Sequence, residues 1–384
     1  MIGSVFRDAL LLLALAPIAY FVVAIAAASA FFRSHPSHPD DFAPPLSILK
    51  PIFGLDREAY ENFASFCRQD YPQFEMLFCV SDENDPAIPT IRKLIQDFPQ
   101  VPIRLLIGSE RIGASDKVNK LCRMAREAQY DIVIVSDSDV RVEPGFLREV
   151  VAPFRDPGIG GVTCLYRGLT DGSFSADVEA LGNSADFAPG VIVAGLSGSL
   201  DFMLGAVMAT TKKHLAAIGG FEAIADYFCD DYELGNRIAA QGSRVVLSPC
   251  AVGIVYPHET IGDAFRHQVR WNLSIRYSRP WGHLGLIFTQ ALPWALLVGA
   301  LVSVRAAIGY YAAALVFRCA VATSVGFRRM KDRLVLRRLW MLPLRDAFAF
   351  AAWLASFFPQ RIHWRGQQFR VRDRRLVPVS PRAS

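Results

Sequence analysis

The stretch VIVSDSDVRV, residues 133–142, decides how this chain is read. An apolar run, Ile132-Val133-Ile134-Val135, stops abruptly at Ser136-Asp137-Ser138-Asp139. Short β-branched runs of this kind read as buried strands. Two carboxylates one residue apart project to the same side of extended backbone. Such a pair of hard oxygen donors suits Mg²⁺ or Mn²⁺, which binds a few carboxylates together with substrate phosphates. A polar turn of Asp and Ser ending a strand is the plainer alternative, and a lone DxD does not exclude it.

The flanking sequence supplies a fold. Leu46–Leu49, Met76–Val80, Ile103–Ile107 and Ile132–Val135 read as strands, and 158–166 and 243–247 as later ones. Residues 57–69, 87–98, 115–128, 144–153, 210–218 and 230–241 read as helices. Strand–helix alternation predicts an α/β domain with a parallel sheet. Ligands bind beyond the carboxyl ends of such strands. Acidic groups fall at or near those ends: Asp82 in CVSDENDP, the Asp137/Asp139 pair, and Asp230-Asp231 in FCDDYELG. No GxGxxG follows the first strand and no GxxxxGK[ST] is present, which disfavours a dinucleotide fold and excludes a P-loop enzyme.

Further candidates follow in order. Lys117 and Asn119, in ASDKVNK, open a helix where a cation and the helix N-terminus favour phosphate; a solvated helix face is the alternative. Gly205 lies in a small-residue stretch that lets a second substrate approach the backbone, or simply in a buried strand. HQVRW, residues 267–271, sets Arg270 beside Trp271, suited to a diphosphate and a ring. An arginine-rich amphipathic helix at a membrane surface explains that segment equally well.

The chain has 384 residues, 52% of them hydrophobic, and this apolarity is concentrated at its two ends. Residues 9–32 form an apolar run long enough to span a bilayer. Ala28-Ser29-Ala30 resembles a signal-peptidase site, but the run is long and its front weakly charged, so an uncleaved anchor is expected. A proline-rich linker, 33–45, leads into the α/β domain, 46–283. Residues 284–326 read as a transmembrane hairpin, 327–340 as a basic cytoplasmic loop, 341–358 as a membrane-associated or re-entrant segment and 359–384 as a basic tail. The net charge of +5 is uneven; RRMKDRLVLRR (328–338) and seven arginines from Arg361 onward flank the apolar segments. Anionic lipid is the expected partner of these clusters, and nucleic acid is not. Seven scattered cysteines without a CxxC fit neither a zinc site nor a disulfide framework.

Taken together, these motifs resemble the family-2/21-like glycosyltransferases of GT-A fold (Rossmann-like, nucleotide-diphospho-sugar transferases), in particular the membrane-bound ceramide glucosyltransferase branch. SILKPIFGLD, CVSDENDPAI, SDKVNK, SDSDV, LGAVMATTKKHLAAIGGF, CDDYELGNRIAAQG and HQVRW correspond in order to that branch's motifs. The segment from Asp56 to Pro89 is most similar to the bacterial hopanoid-associated enzymes. The box (Q/R)xxRW has His267 in its first position, which puts that position's contact in question but leaves Arg270 and Trp271 in place. Asp230 stands where ceramide enzymes often carry Glu.

The resemblance implies an inverting, metal-dependent transfer from a UDP-sugar to a membrane-lipid hydroxyl. Asp231 is implied as the base, Asp139 with Asp137 as metal ligands, and Asp82, Lys117, Asn119, Asp137, Arg270 and Trp271 as donor-binding residues. GlcNAc to bacteriohopanetetrol is the expected reaction, and glucose to ceramide the alternative. A bacterial inner-membrane protein with its catalytic domain in the cytoplasm is implied, its oligomeric state open. One anchor and a short hairpin are too few spans for a processive polysaccharide synthase. The intact acidic series argues against a catalytically dead scaffold.

Overall fold

Two kinds of apolar pattern sort the chain into two units. The structure, a computed structural model, describes residues 2–34, 42–197, 200–257, 260–358, 362–364 and 367–378. One unit comprises residues 1–34, 170–194 and 258–360; the other comprises 35–169, 195–257 and 361–384. Residues 170–194 and 258–283, within the stretch 46–283 expected as one domain, group with the apolar helices. Most of the expected linker, 35–41, lies outside the described residues.

The second unit is built on an eight-stranded sheet. β1 (Leu46–Pro51), β2 (Phe74–Val80), β3 (Ile103–Ile107) and β4 (Ile132–Ser136) are mutually parallel in the order 3-2-1-4. Every residue of β1, β2 and β4 is buried, which explains their continuous rather than alternating apolar runs. The helices Ala59–Cys67, Ile88–Asp97 and Asp116–Glu127 connect them.

Beyond β4 the pairing changes direction. β5 (Val140–Arg141), β6 (Ile159–Leu169), β7 (Val207–Thr211) and β8 (Arg244–Val255) complete the order 3-2-1-4-7-6-8-5. β7 runs antiparallel to both β4 and β6, while β6 and β8 are parallel. The helix expected over 210–218 is observed as the short helix Lys212–Ala217, and Thr210 and Thr211 belong instead to the end of β7. Thr211 divides strand from helix: its side chain accepts from His214 N–H and caps the helix. A second sheet, β9 (Ile362–Trp364), β10 (Gln367–Arg372) and β11 (Arg375–Pro378), forms an antiparallel meander in what the sequence presented as a basic tail.

In the first unit, two helical stretches are long and apolar enough to cross a membrane, Val5–Ser34 and Val304–Arg329. A third candidate is bent by 64° between Pro280–Thr289 and Ala291–Leu301, so the first arm of the expected hairpin is not one straight helix. Arg318, which interrupts the apolar pattern, is buried against Asp186 and lies 3.1 Å from Asp346. Pairing of this kind is how charge is tolerated inside apolar surroundings. The helix Leu342–Ala355 occupies most of the segment expected to be membrane-associated, 341–358.

One close approach in the second unit ties two functional segments together. A Cβ built on Gly113 would lie 2.6 Å from the carbonyl of Ala225, so only glycine allows that contact. Ser115 N–H donates to Ala225 O nearby (2.8 Å). Gly113→Ala is expected to destabilise the protein by about 1–3 kcal/mol, as overpacking against fixed backbone does; urea unfolding in detergent checks it.

Candidate active site

The motif SDKVNK shows why a helix must begin at this point. Ser115 caps the helix Asp116–Glu127, accepting from Val118 N–H at 3.4 Å. Asp116 accepts from Ser81 Oγ (3.0 Å) and from Lys120 Nζ (2.8 Å), joining the end of β2 to the helix. Lys120 also donates to Ile52 O beyond β1 (2.6 Å). Asn119 accepts from Ile112 and Gly113 N–H and donates to Gly113 O. Its amide braces the 112–113 loop.

Lys117 is the residue of this motif that reaches the carboxylates. Its Nζ lies 2.9 Å from Asp137 Oδ1 and 3.2 Å from Asp230 Oδ2. Burial works to lower its pKa, and Asp137 and Asp230 more than reverse that, holding the ammonium charged above the usual lysine range. One cation thus bridges the acidic pair ending β4 and the acidic pair opening the helix Asp230–Ala240.

Gly205 shows how close these acidic groups come. A Cβ placed on it would lie 3.3 Å from Asp231 Oδ2 and 3.9 Å from Asp137 Oδ2. Asp231 Oδ1 accepts from Tyr232 N–H at 2.7 Å, leaving Oδ2 aimed at that spot. The Asp231 carboxyl is pushed up to about 6, first by burial and then by Asp230. The Asp139 carboxyl is pushed up to about 7, by burial and then by Asp137 and Asp56.

A second lysine lies beneath the pair. Lys50, fully buried in β1, donates to Ser136 Oγ (3.2 Å) and Asp137 O (3.0 Å) and sits 3.8 Å from the centre of the Phe66 ring. Burial pulls its ammonium down to about 7, although Asp137 and Asp139 act to raise it. Lys50 was missed as a site residue; the available signal was a lysine within the apolar run SILKPIF.

Asp82 is exposed just after β2, where its Oδ1 accepts from Asn84 N–H at 2.8 Å and shapes a turn. Asp85, not singled out from sequence, ties that turn to the loop after β1 through Gly54 N–H at 3.0 Å. Arg270 and Trp271 lie on the helix Ile261–Ser278 of the other unit. There His267 packs edge-on against Trp271 at 5.0 Å between ring centres, and its Nδ1 contacts Glu179 Oε1.

The donor chemistry fits a hard divalent cation, since Asp137 and Asp139 offer oxygen ligands where protein charge is unfavourable without a counter-charge. Among the described residues no three His, Cys, Asp or Glu side chains gather to hold a metal alone. Such a cation would need ligand oxygens from a phosphate as well.

The mixed, Rossmann-like sheet with an acidic centre at the carboxyl end of β4 is of the GT-A glycosyltransferase type, which the likeness to a solved glycosyltransferase shows. The description Glycosyl transferase family 21 matches residues 9–377, and the chain belongs to that family. It is 30% identical to ceramide glucosyltransferase 1 of Caenorhabditis elegans over 225 residues, 57% of this chain and 48% of that protein. It is 39% identical to the ceramide glucosyltransferase of Komagataella phaffii over 110 residues, 28% and 22% of the two chains. The chain spans about half the length of the curated relatives it matches over the longest stretches. Among solved structures, the mannosyltransferase PcManGT from Pyrobaculum calidifontis, in complex with GDP-Man and Mn²⁺, superposes with a TM-score of 0.50 at 18% identity. That match covers 90% of this chain and 99% of the other, and it is a likeness of fold.

Lys117→Met is expected to cost about 3 kcal/mol at pH 7, since it strands Asp137 and the buried Asp230 without their shared cation. Lys117→Arg should cost less. Denaturant titration of the three proteins measures the difference.

Proposed function

We propose that this protein moves a sugar from a UDP-sugar to the hydroxyl of a membrane lipid, with inversion at the anomeric carbon. The observation that carries it is the approach of Asp231 Oδ2 and Asp137 Oδ2 to one spot above Gly205, with Lys117 bridging their two motifs. A base and a phosphate-binding group must stand that close for a single displacement.

Asp231 takes the proton from the lipid hydroxyl as its oxygen attacks the anomeric carbon. The bond from that carbon to the diphosphate breaks, and UDP leaves with the electron pair. A carboxyl pushed up to about 6 is a stronger base than an ordinary one and is still largely ionised at neutral pH. Asp139 and Asp137 would hold the divalent cation, Mg²⁺ or Mn²⁺. When bound, that ion offsets the charge that develops on the departing diphosphate. Lys117 adds a fixed positive charge beside it. Asp82 is assigned to the uridine. Asn119 supports the donor site through the loop it braces, and Arg270 and Trp271 keep the donor role their box implies, on the motif alone.

The names of the matched relatives favour ceramide as the acceptor and glucose as the sugar. The hopanoid acceptor with GlcNAc is the second reading, and the likeness of residues 56–89 to hopanoid-associated enzymes is what favours it. The apolar helices of the first unit suit an acceptor that stays in a bilayer.

Purified protein in lipid vesicles, given UDP-glucose or UDP-GlcNAc with ceramide or bacteriohopanetetrol, is expected to yield a hexose-bearing ceramide by mass spectrometry. An N-acetylhexosamine on the hopanoid would move the substrate and keep the chemistry. Absence of any glycosylated lipid, or the appearance of a polymer, would refute the proposal. Asp231→Asn is expected to reduce transfer at least about 1,000-fold while UDP affinity changes less than about threefold; isothermal titration against UDP provides the second half of that comparison.

A further inference from the structure

We propose that the C-terminal meander is a positioning element of the active site, with Arg374 as its working residue. This rests on the assignment of Asp231 as the base. The seven arginines from Arg361 onward suggest a tail held against anionic lipid, but the structure gives part of it a second task. β11 lies along the segment 226–228, immediately ahead of Asp230 and Asp231. Leu376 N–H donates to Asp226 O (2.8 Å) and Phe228 N–H donates to Arg374 O (2.9 Å), while Tyr227 and Arg375 form an antiparallel bridge. Tyr227 is flanked by two guanidinium groups, that of Arg375 at 5.2 Å and that of Arg237 at 5.1 Å.

Side-chain contacts extend this grip into the helix of the base. Arg374 Nη1 lies 2.9 Å from Oε1 of Glu233, a buried residue two positions after Asp231. Arg237 holds the other carboxylate oxygen at 3.3 Å. On its far side, the gripped segment meets the motif of Lys117, where Asp226 Oδ1 accepts from Ala114 N–H at 3.0 Å. The meander therefore holds the strip of chain that lies between the Lys117 helix and the Asp231 helix. A base must keep its place to a fraction of an ångström, so support of this kind bears on rate.

The turn carries a conformational cost that fits this role. Asp373 and Arg374, the two residues joining β10 and β11, have φ of 50° and 64°. A two-residue hairpin loop with both residues left-handed is a type I′ turn, which favours Asn-Gly or Asp-Gly. Arginine in the glycine position is unfavourable locally, and here its guanidinium reaches Glu233. Strain held in place by specific contacts is a feature of functional sites.

That cost also provides a clean test. In the full-length protein, Arg374→Gly keeps the turn and the carbonyl that accepts from Phe228, and removes the guanidinium alone. The expected result is a kcat lowered about tenfold, a KM for the UDP-sugar changed less than about twofold, and a Tm unchanged or raised. Arg374→Gly combined with Glu233→Gln should be no slower than the slower single variant, because the two side chains act as one pair. Arg370→Ala, which removes an exposed arginine of β10, should leave kcat unchanged. An unchanged kcat in Arg374→Gly overturns the proposal. So does a fall in Tm and a rise in KM that together account for the loss, which is what a purely structural part would give. Equal losses in Arg374→Gly and Arg370→Ala overturn it in favour of tail charge acting at the membrane. Asp231→Asn in the same assay keeps the outcomes distinct, since retained transfer there refutes the base assignment itself.

Discussion

The second unit is organised around an electrostatic conflict at the carboxyl end of β4. Asp137 and Asp139 follow that strand, Asp230 and Asp231 open a helix, and Asp137 and Asp231 approach the same spot above Gly205. Burial, and after it the neighbouring carboxylates, opposes ionisation, and the carboxyls of Asp139 and Asp231 are displaced upward accordingly. Lys117 offsets part of the charge by bridging the two motifs, and Lys50 sits beneath the first of them. The arrangement costs stability in the protein alone. A bound cation coordinated by the carboxylate oxygens would relieve that cost, as the proposed site for a cation and a diphosphate requires.

The first unit solves a related problem in apolar surroundings. Three acidic groups on residues 170–194 are matched to basic partners: Asp177 to Arg338, Glu179 to His267, and Asp186 to Arg318 and Arg345. Tyr311 donates to Asp346 (2.9 Å), which also pairs with Arg318. These pairs explain how Arg318 and Arg345 sit within otherwise apolar helices. They also explain why 170–194, lying in sequence between two strands of the sheet, belongs with the apolar unit.

Much of the fold was legible because its strongest patterns are local. β1 to β4 are short and separated by helices, and β1, β2 and β4 are buried along their whole length, so their apolar runs stand out without tertiary information. The helix Lys212–Ala217 was expected to begin two residues earlier, because Thr210-Thr211 and the following KKHLAA give no apolar period of two; pairing within the sheet draws both threonines into β7. The helical stretch from Phe174 to Ala194 escaped notice because its acidic side chains are explained only by partners more than 80 residues away. The meander was hidden by its arginines, whose charge suggested a basic tail. Of the site residues, the carboxylates could be found from their place at strand and helix ends. Lys50 and Glu233 could not be assigned roles, since burial and partners give them meaning.

The central claim is that the acidic cluster is there to hold a cation-bound diphosphate. Calorimetric titration of the full-length protein with UDP, in Mn²⁺ and then in chelator, tests it most directly, with Asp139→Ala alongside. The account predicts UDP binding that weakens at least about tenfold without Mn²⁺, and an Asp139→Ala variant that binds weakly and alike in both conditions. Equal UDP affinity of the unaltered protein with and without the metal would contradict it.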